Sequence, residues 1–239
     1  MSQPISCDHT PAWPQQLAQR ASTASDPRLK RYFEAGCPDG HTPIADVPMV
    51  AVDFETTGLN PDEHSIVSIG LVQFDYHRIQ GHSARHWLVH PLQPLHRQSV
   101  EIHGITHSDI GDAPDLEVVL EELLDSMAGR VAVVHYQAIE RPFIDVAVKH
   151  RLGEGITFPV IDTMAIEAHL HPNRRLSWWQ KLRGDKPISI RLADSRTRYH
   201  LPHYPPHHAL TDALATAELL QAQLQHHFSP ETPLGDLWL

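Results

Sequence analysis

Cysteine is nearly absent: Cys7 and Cys37 are the only two in 239 residues. A disulfide framework is therefore excluded, and a reducing compartment, the cytoplasm, is the expected setting. Neither Cys7-x-His9 nor Cys37-x-x-x-His41 has the spacing of a usual zinc site. No run of about eighteen apolar residues occurs, so no membrane-spanning helix is expected. The opening residues, MSQPISCDHTPAWPQQ, lack the basic and apolar stretches of an export signal. Positive charge is also scarce, with 19 Lys and Arg against 29 Asp and Glu and a net charge of −10. Such a surface does not grip long nucleic acid along its whole length, because that affinity rests on neutralising phosphates.

What is present is an ordinary globular composition, 41% hydrophobic, long enough for one main domain. The charge is unevenly spread: residues 172–200 carry a net +6, leaving −16 on the rest. This basic stretch includes Trp178 and Trp179 and reads as an irregular or short-helical excursion. It has two readings, a contact for single-stranded nucleic acid through stacking and arginine–phosphate pairs, or a solvated basic loop anchored by a tryptophan. Residues 1–46, rich in Pro, Ser, Ala and Gln, read as an N-terminal extension with one helix near 27–35 and a turn at 38–40. This extension is expected to pack on the domain or to stay partly loose, and it is a candidate surface for a protein partner.

The main domain is expected over 47–228, with 229–239 as a tail. Strands are predicted from 47 and over 65–76 and 84–89, joined by short links as in a meander, with further short strands at 131–135 and 160–162. Residues 99–109 read as a loop or brief helix. Over 115–127 the apolar positions Leu116, Val119, Leu120, Leu123, Leu124 and Met127 follow helical spacing, with Glu117, Glu121, Glu122 and Asp125 on a solvated face. Helices are also expected at about 140–152, 163–170 and 209–226.

Carboxylates gather at the ends of these elements. The first strand, VPMVAVDFETTGL, is apolar until Asp53 and Glu55, which the two-residue period places on one face while Phe54 turns to the other. Glu140 opens a helix after the VAVVH strand, and Asp212 lies in the first turns of the last helix. Two divalent cations about 4 Å apart need roughly four such ligands to be held and neutralised. His207 precedes Asp212 by five residues, and Pro205 and Pro206 favour placing it in the loop ahead of the helix. A histidine there has the chemistry of a general base, the alternative being a capping or solvated role.

The segments VAVDFETTGL, VVHYQAIERPFI and HHALTDALATAELL resemble the three exonuclease motifs of the DEDDh 3′-to-5′ exonucleases, the group that contains the epsilon proofreading subunit of DNA polymerase III. EIHGIT (101–106) and VIDT (160–163) also match in order, and the resemblance spans about 47–225. It implies an α/β, RNase H-like exonuclease fold, with a mixed central sheet of about five strands flanked by helices. It further implies two Mg²⁺ or Mn²⁺ ions. Asp53 would bridge both ions, and Glu55 and Asp212 would be further ligands of the one that activates water. His207 would be the base, and nucleoside 5′-monophosphates would be released from 3′ ends. Thr57, Gly58, Leu59, His103 and Ile105 match positions lining the pocket for the 3′-terminal nucleotide, and Phe143 matches an apolar position after the second motif.

One position departs from the pattern, since the second motif usually carries aspartate where this chain has Glu140. Glutamate keeps the charge and adds a methylene, and in the family this carboxylate mostly holds metal through water. An active Glu variant is the favoured reading, over a catalytically weak or dead module acting through protein partners or nucleotide binding. Asp145 is a weaker substitute ligand, and Asp162 reads as a structural acid, at a strand end or a helix cap, rather than a metal ligand. Expected substrates are single-stranded 3′ ends of DNA or RNA. A further alternative is a hydrolase of dinucleotides or very short oligonucleotides, which would account for the small basic footprint.

Overall fold

The computed structural model describes residues 12–172 and 187–239. Cys7, His9 and the tryptophan pair of the basic stretch lie outside the described residues, as do Arg174, Arg175, Lys181, Arg183 and Lys186. Two helices come first, α1 (Trp13–Thr23) and α2 (Pro27–Glu34), the second capped by Asp26, whose side chain accepts the Arg28 amide. The meander follows as β1 (Met49–Thr56), β2 (Ile66–Phe74) and β3 (Arg85–Leu88). Next are α3 (Arg97–His103), α4 (His107–Ile110), α5 (Leu116–Met127), β4 (Val131–Val134) and α6 (Gln137–Leu152). The chain ends with β5 (Val160–Asp162), α7 (Thr163–Leu170), α8 (Leu192–Arg198) and α9 (Ala209–His227). Among the described residues, no helix is long and apolar enough to cross a membrane.

The strand order is β3-β2-β1-β4-β5, antiparallel on the meander side and parallel across β1-β4-β5. β1 is central and buried on both faces, as its continuous apolar run requires. Val50, Val52 and Phe54 point into a core closed by α2, α5 and α6, with Leu29, Phe33, Leu120, Leu124, Phe143 and Val148 among its members. Met49 and Ala51 point into the opposite core, filled by Ile166 of α7, Ala213, Ala217 and Leu220 of α9, and Leu234 and Trp238 of the tail. Asp53 and Glu55 continue this second face, the one that α9 covers.

The N-terminal segment is more integral than its composition suggests. Leu17, Leu29, Tyr32 and Phe33 belong to the first core, Trp13 and Ile44 to the second. Polar contacts fasten it: Glu154 accepts the amides of Ser25 and Asp26, and Arg20 donates to the Gly155 carbonyl at 2.5 Å. The predicted loop or brief helix at 99–109 is two short helices. The acidic face of α5 is exposed, and Arg28, Arg31 and Arg85 meet Glu117, Glu121 and Glu122 there. Leu29→Ala is expected to cost about 2–5 kcal/mol in denaturant unfolding, because it empties a fully buried position; an appendage merely resting on the domain would leave its stability unchanged.

Candidate active site

The two β1 acids are brought to α9 by a missing side chain. Gly70 pairs with Asp53 across β1 and β2. A Cβ on Gly70 would lie 2.1 Å from the Ala209 carbonyl carbon and 2.2 Å from the Leu210 nitrogen. Only glycine lets the first turn of α9 press on the sheet at this point. Asp212, one turn in, then reaches Glu55. One ligand atom each from Glu55, His207 and Asp212 lies within 4.8 Å of the others.

His207 stands in the loop ahead of α9, as the paired prolines imply. Its backbone is left-handed, with φ 68°, and its amide donates to Asp212 Oδ2 at 2.7 Å. The capping role falls to the neighbour: His208 Nδ1 accepts from the Thr211 amide at 3.4 Å. The His208 ring lies against His86, with centroids 4.6 Å apart, and His86 Nε2 is hydrogen-bonded to Ser68 Oγ at 2.8 Å.

Glu140 reaches the site from the first turn of α6, near enough for its charge to act on Asp53. The predicted helix start at 140 is corrected to Gln137, one turn earlier, with Tyr136 at φ 102° before it. The cause is remote in sequence. Asp162 accepts the amides of Tyr136 and Gln137 at 3.1 and 2.9 Å while also capping α7 through Met164 and Ala165. The helix-cap reading of Asp162 therefore holds, for two helices at once. Asp145 turns away to Gly155, where a Cβ would meet its Oδ1 at 2.0 Å. Glu140 is 4% exposed, and its Oε2 has no hydrogen-bond partner among the described residues.

These acids crowd one another. Burial raises the Asp53 pKa well above the usual carboxylate range, and the charges of Glu140, Asp212 and Glu55 raise it further. Burial, with Asp212, pushes Glu55 up to about 7; burial, with Asp162, pushes Glu140 up to about 8. Asp212 is also raised by burial, against the opposing pull of the His207 amide. Buried acids held this close, one with an orphaned oxygen, fit a set of hard oxygen donors for divalent cations.

Beside the acids opens a cleft of 820 Å³, lined by Thr57, Gly58, Leu59 and His103 of the predicted pocket together with Glu55 and His207. His103 Nδ1 accepts the Ile105 amide at 3.0 Å, and burial, with His207 nearby, lowers its pKa. The neutral ring therefore carries its proton on Nε2, which is buried and has no partner among the described residues. Leu59 is 80% exposed at the wall, while Thr57 is buried and exchanges hydrogen bonds with Ser65. Ile105, also matched to the pocket, packs instead against Val67, Leu95 and Ile110, and Phe143, the apolar position after the second motif, is a core residue, 2% exposed.

The motifs did not single out His64, His96, Ile102 or Ile139, which also line the cleft. The His64 ring lies over Gly58, where a Cβ would meet it at 2.3 Å, and packs edge-on against His96 at 5.1 Å. Gly70 was also missed, although a glycine inside the apolar strand IVSIGLVQF is itself a sign of close backbone approach. In the basic stretch, Arg196 and Arg198 pair internally with Glu218 and Glu167, so neither is a free phosphate contact.

Comparison with known proteins gives a consistent picture. The family model RNase_T, described as exonuclease, matches residues 50–220. A DNA polymerase III PolC-type protein of Thermotoga maritima is 31% identical over 176 residues, 74% of this chain and 12% of that protein. The DNA polymerase III epsilon subunit of Pasteurella multocida is 26% identical over 136 residues, 54% of this chain and 53% of the subunit. The chain thus spans only part of the curated relatives it matches. The nuclease domain of 3′hExo, a DEDDh family member solved with rAMP, superposes with a TM-score of 0.59 at 17% identity, over 75% of this chain and 92% of that one. The five-stranded mixed sheet with its helices is the RNase H-like exonuclease fold.

The electrostatics predict a pH signature. Glu55 and Glu140 have ordinary values of 4.5, so their raised pKa values mean tighter proton binding in the folded state. Their stabilising contribution is complete below about pH 4.5 and is lost as pH rises through about 7 and 8. The melting temperature of metal-free protein should fall across this window, and saturating Mn²⁺ should remove most of the slope; a flat metal-free profile would show that the two acids do not hold their protons above the usual carboxylate range. Gly70→Ala should lower stability by about 1–3 kcal/mol through overpacking, with activity falling as α9 is displaced. Thermal melts and rates measured on the same preparation read both effects.

Proposed function

This chain belongs to the RNase_T exonuclease family, and on that premise we propose that it is a metal-dependent 3′-to-5′ exonuclease. It hydrolyses 3′-terminal phosphodiester bonds of DNA, or of RNA, and releases nucleoside 5′-monophosphates. The observation that carries this reading is the convergence of Glu55, Asp212 and His207 within 4.8 Å beside a nucleotide-sized cleft, with Asp53 and Glu140 adjoining.

Asp53, Glu55, Glu140 and Asp212 would hold two Mg²⁺ or Mn²⁺ ions, hard cations suited to carboxylate oxygens. Bound there, the ions would neutralise the acids, polarise the scissile phosphate and ease deprotonation of water. The remaining work belongs to the chain. His207, exposed at the edge of the acids, accepts the proton of the attacking water, and Asp212 fixes its backbone through the amide hydrogen bond. His103 lines the cleft, with its Nε2–H buried and without a partner among the described residues. Leu59 and Ile102, 80% and 58% exposed, present apolar surface to the base of the terminal nucleotide.

Among the described residues, the charge around the cleft suits short substrates. Arg97 lines it but pairs with Glu101 at 3.0 Å. Arg196 and Arg198 are engaged inside the fold. A length series of 5′-labelled DNA and RNA oligomers with Mn²⁺ should show laddering from the 3′ end that depends only weakly on length. His207→Ala should reduce turnover by about a hundredfold or more while Mn²⁺ binding persists. Near wild-type activity in that variant would remove the assigned base, and absence of Mn²⁺ uptake by the wild type would favour a non-catalytic module.

A further inference from the structure

His207 is an exposed residue with a left-handed backbone, a conformation that a non-glycine side chain does not keep without support from its surroundings. On one side its neighbour His208 rests on His86. On the other, the loop runs back through Pro206 and Pro205 to Tyr204, and there it meets a buried cation that the chemistry above leaves without a role.

Arg196, at the end of α8, is 4% exposed. Its Nη1 donates to the Ala215 carbonyl at 2.6 Å, and its Nη2 donates to the Pro202 carbonyl at 2.8 Å and to Glu218 Oε2 at 2.7 Å. The guanidinium lies over the Tyr204 ring, 4.6 Å from its centroid. The Tyr204 hydroxyl donates to the other Glu218 oxygen at 2.9 Å. One planar cation thus joins α8, the loop at two points, and α9 at Ala215 and Glu218, on the helix that carries Asp212. Between this node and His207 stand only two prolines, whose φ is fixed by their rings.

We propose that Arg196 is the positioning residue of the site: with Tyr204 and Glu218 it clamps the loop 201–206 to α9 and so holds His207 at the distance from Asp212 and Glu55 that its role requires. This rests on the reading of His207 as the general base. The node depends on a flat fork with several donors and a stacking face. Lysine offers a point charge on a flexible stem and cannot reproduce it.

The test uses the full chain with Arg196→Lys and, as a milder change, Tyr204→Phe, which removes one hydrogen bond and keeps the ring. Arg196→Lys should lower kcat on a 5′-labelled oligonucleotide by about ten- to a hundredfold, the scale of loss expected from misplacing a reacting group. KM and Mn²⁺ affinity should stay within about twofold. Amide hydrogen exchange should show the His207 N–H losing protection. In a His207→Ala background the same substitution should change the residual rate less than about twofold, because the two act through one group. Tyr204→Phe should repeat the pattern at smaller amplitude, and it decides the matter if Arg196→Lys fails to fold. Unchanged kcat with an unchanged His207 amide, or the same fold loss with and without His207, would overturn the proposal. A wild-type protein inactive on every oligomer would overturn the functional reading instead, and the His207 amide would still decide whether the clamp exists.

Discussion

The burial of several acids at the end of an apolar strand is the constraint around which this molecule is arranged. Asp53 and Glu55 close a strand with apolar cores on both faces, and Asp212 and Glu140 are brought beside them from α9 and α6. Taking such groups out of water is costly, and crowding adds to the cost. The surrounding structure holds them nevertheless: the sheet fixes two, the Gly70 contact presses a third against them, and the Asp162 cap sets the helix that carries the fourth. Acids held in this way have the donor chemistry that compact positive charge requires.

The two cores explain how the strain is tolerated. α9 is anchored by Ala213, Ala217, Leu220 and Leu224, so displacing its first turn would disturb a long apolar contact. The N-terminal helices and the tail add Trp13, Phe33, Leu234 and Trp238 to the same cores. The arginines of α8 complete the support from outside, with buried Glu167 accepting from Arg198, Tyr199 and Gln223. The N-terminal helices, the tail and α8 carry no motif residue, yet they help to hold the site.

Elements governed by local pattern were readable in the sequence. All five strands and α5 follow from apolar runs and helical spacing, and the four acids and His207 from motif order. Features governed by distant partners were not. α1 buries only Trp13 and Leu17 among Gln, Ala and Ser, too sparse a stripe to announce a helix. α6 begins a turn early because its cap comes from Asp162. Arg196 and Arg198 looked like surface charge because Glu218 and Glu167 are far along the chain. Ile105 shows that a motif match locates a backbone position without saying which way its side chain turns, whereas the apolar Phe143 turns into the core as its helical spacing implies.

The shared cap at Asp162 bears on the position where this chain leaves the family pattern. With the first amide of α6 bound to the same carboxylate that starts α7, the helix can neither slide along its axis nor unwind by a turn without releasing both helices. The extra methylene of Glu140 cannot then be absorbed by backbone movement. It must be taken up in side-chain torsions, of which glutamate has one more than aspartate. At a pinned helix start, chain length at residue 140 becomes a dimension of the site in its own right, and the two acids cease to be interchangeable despite their equal charge.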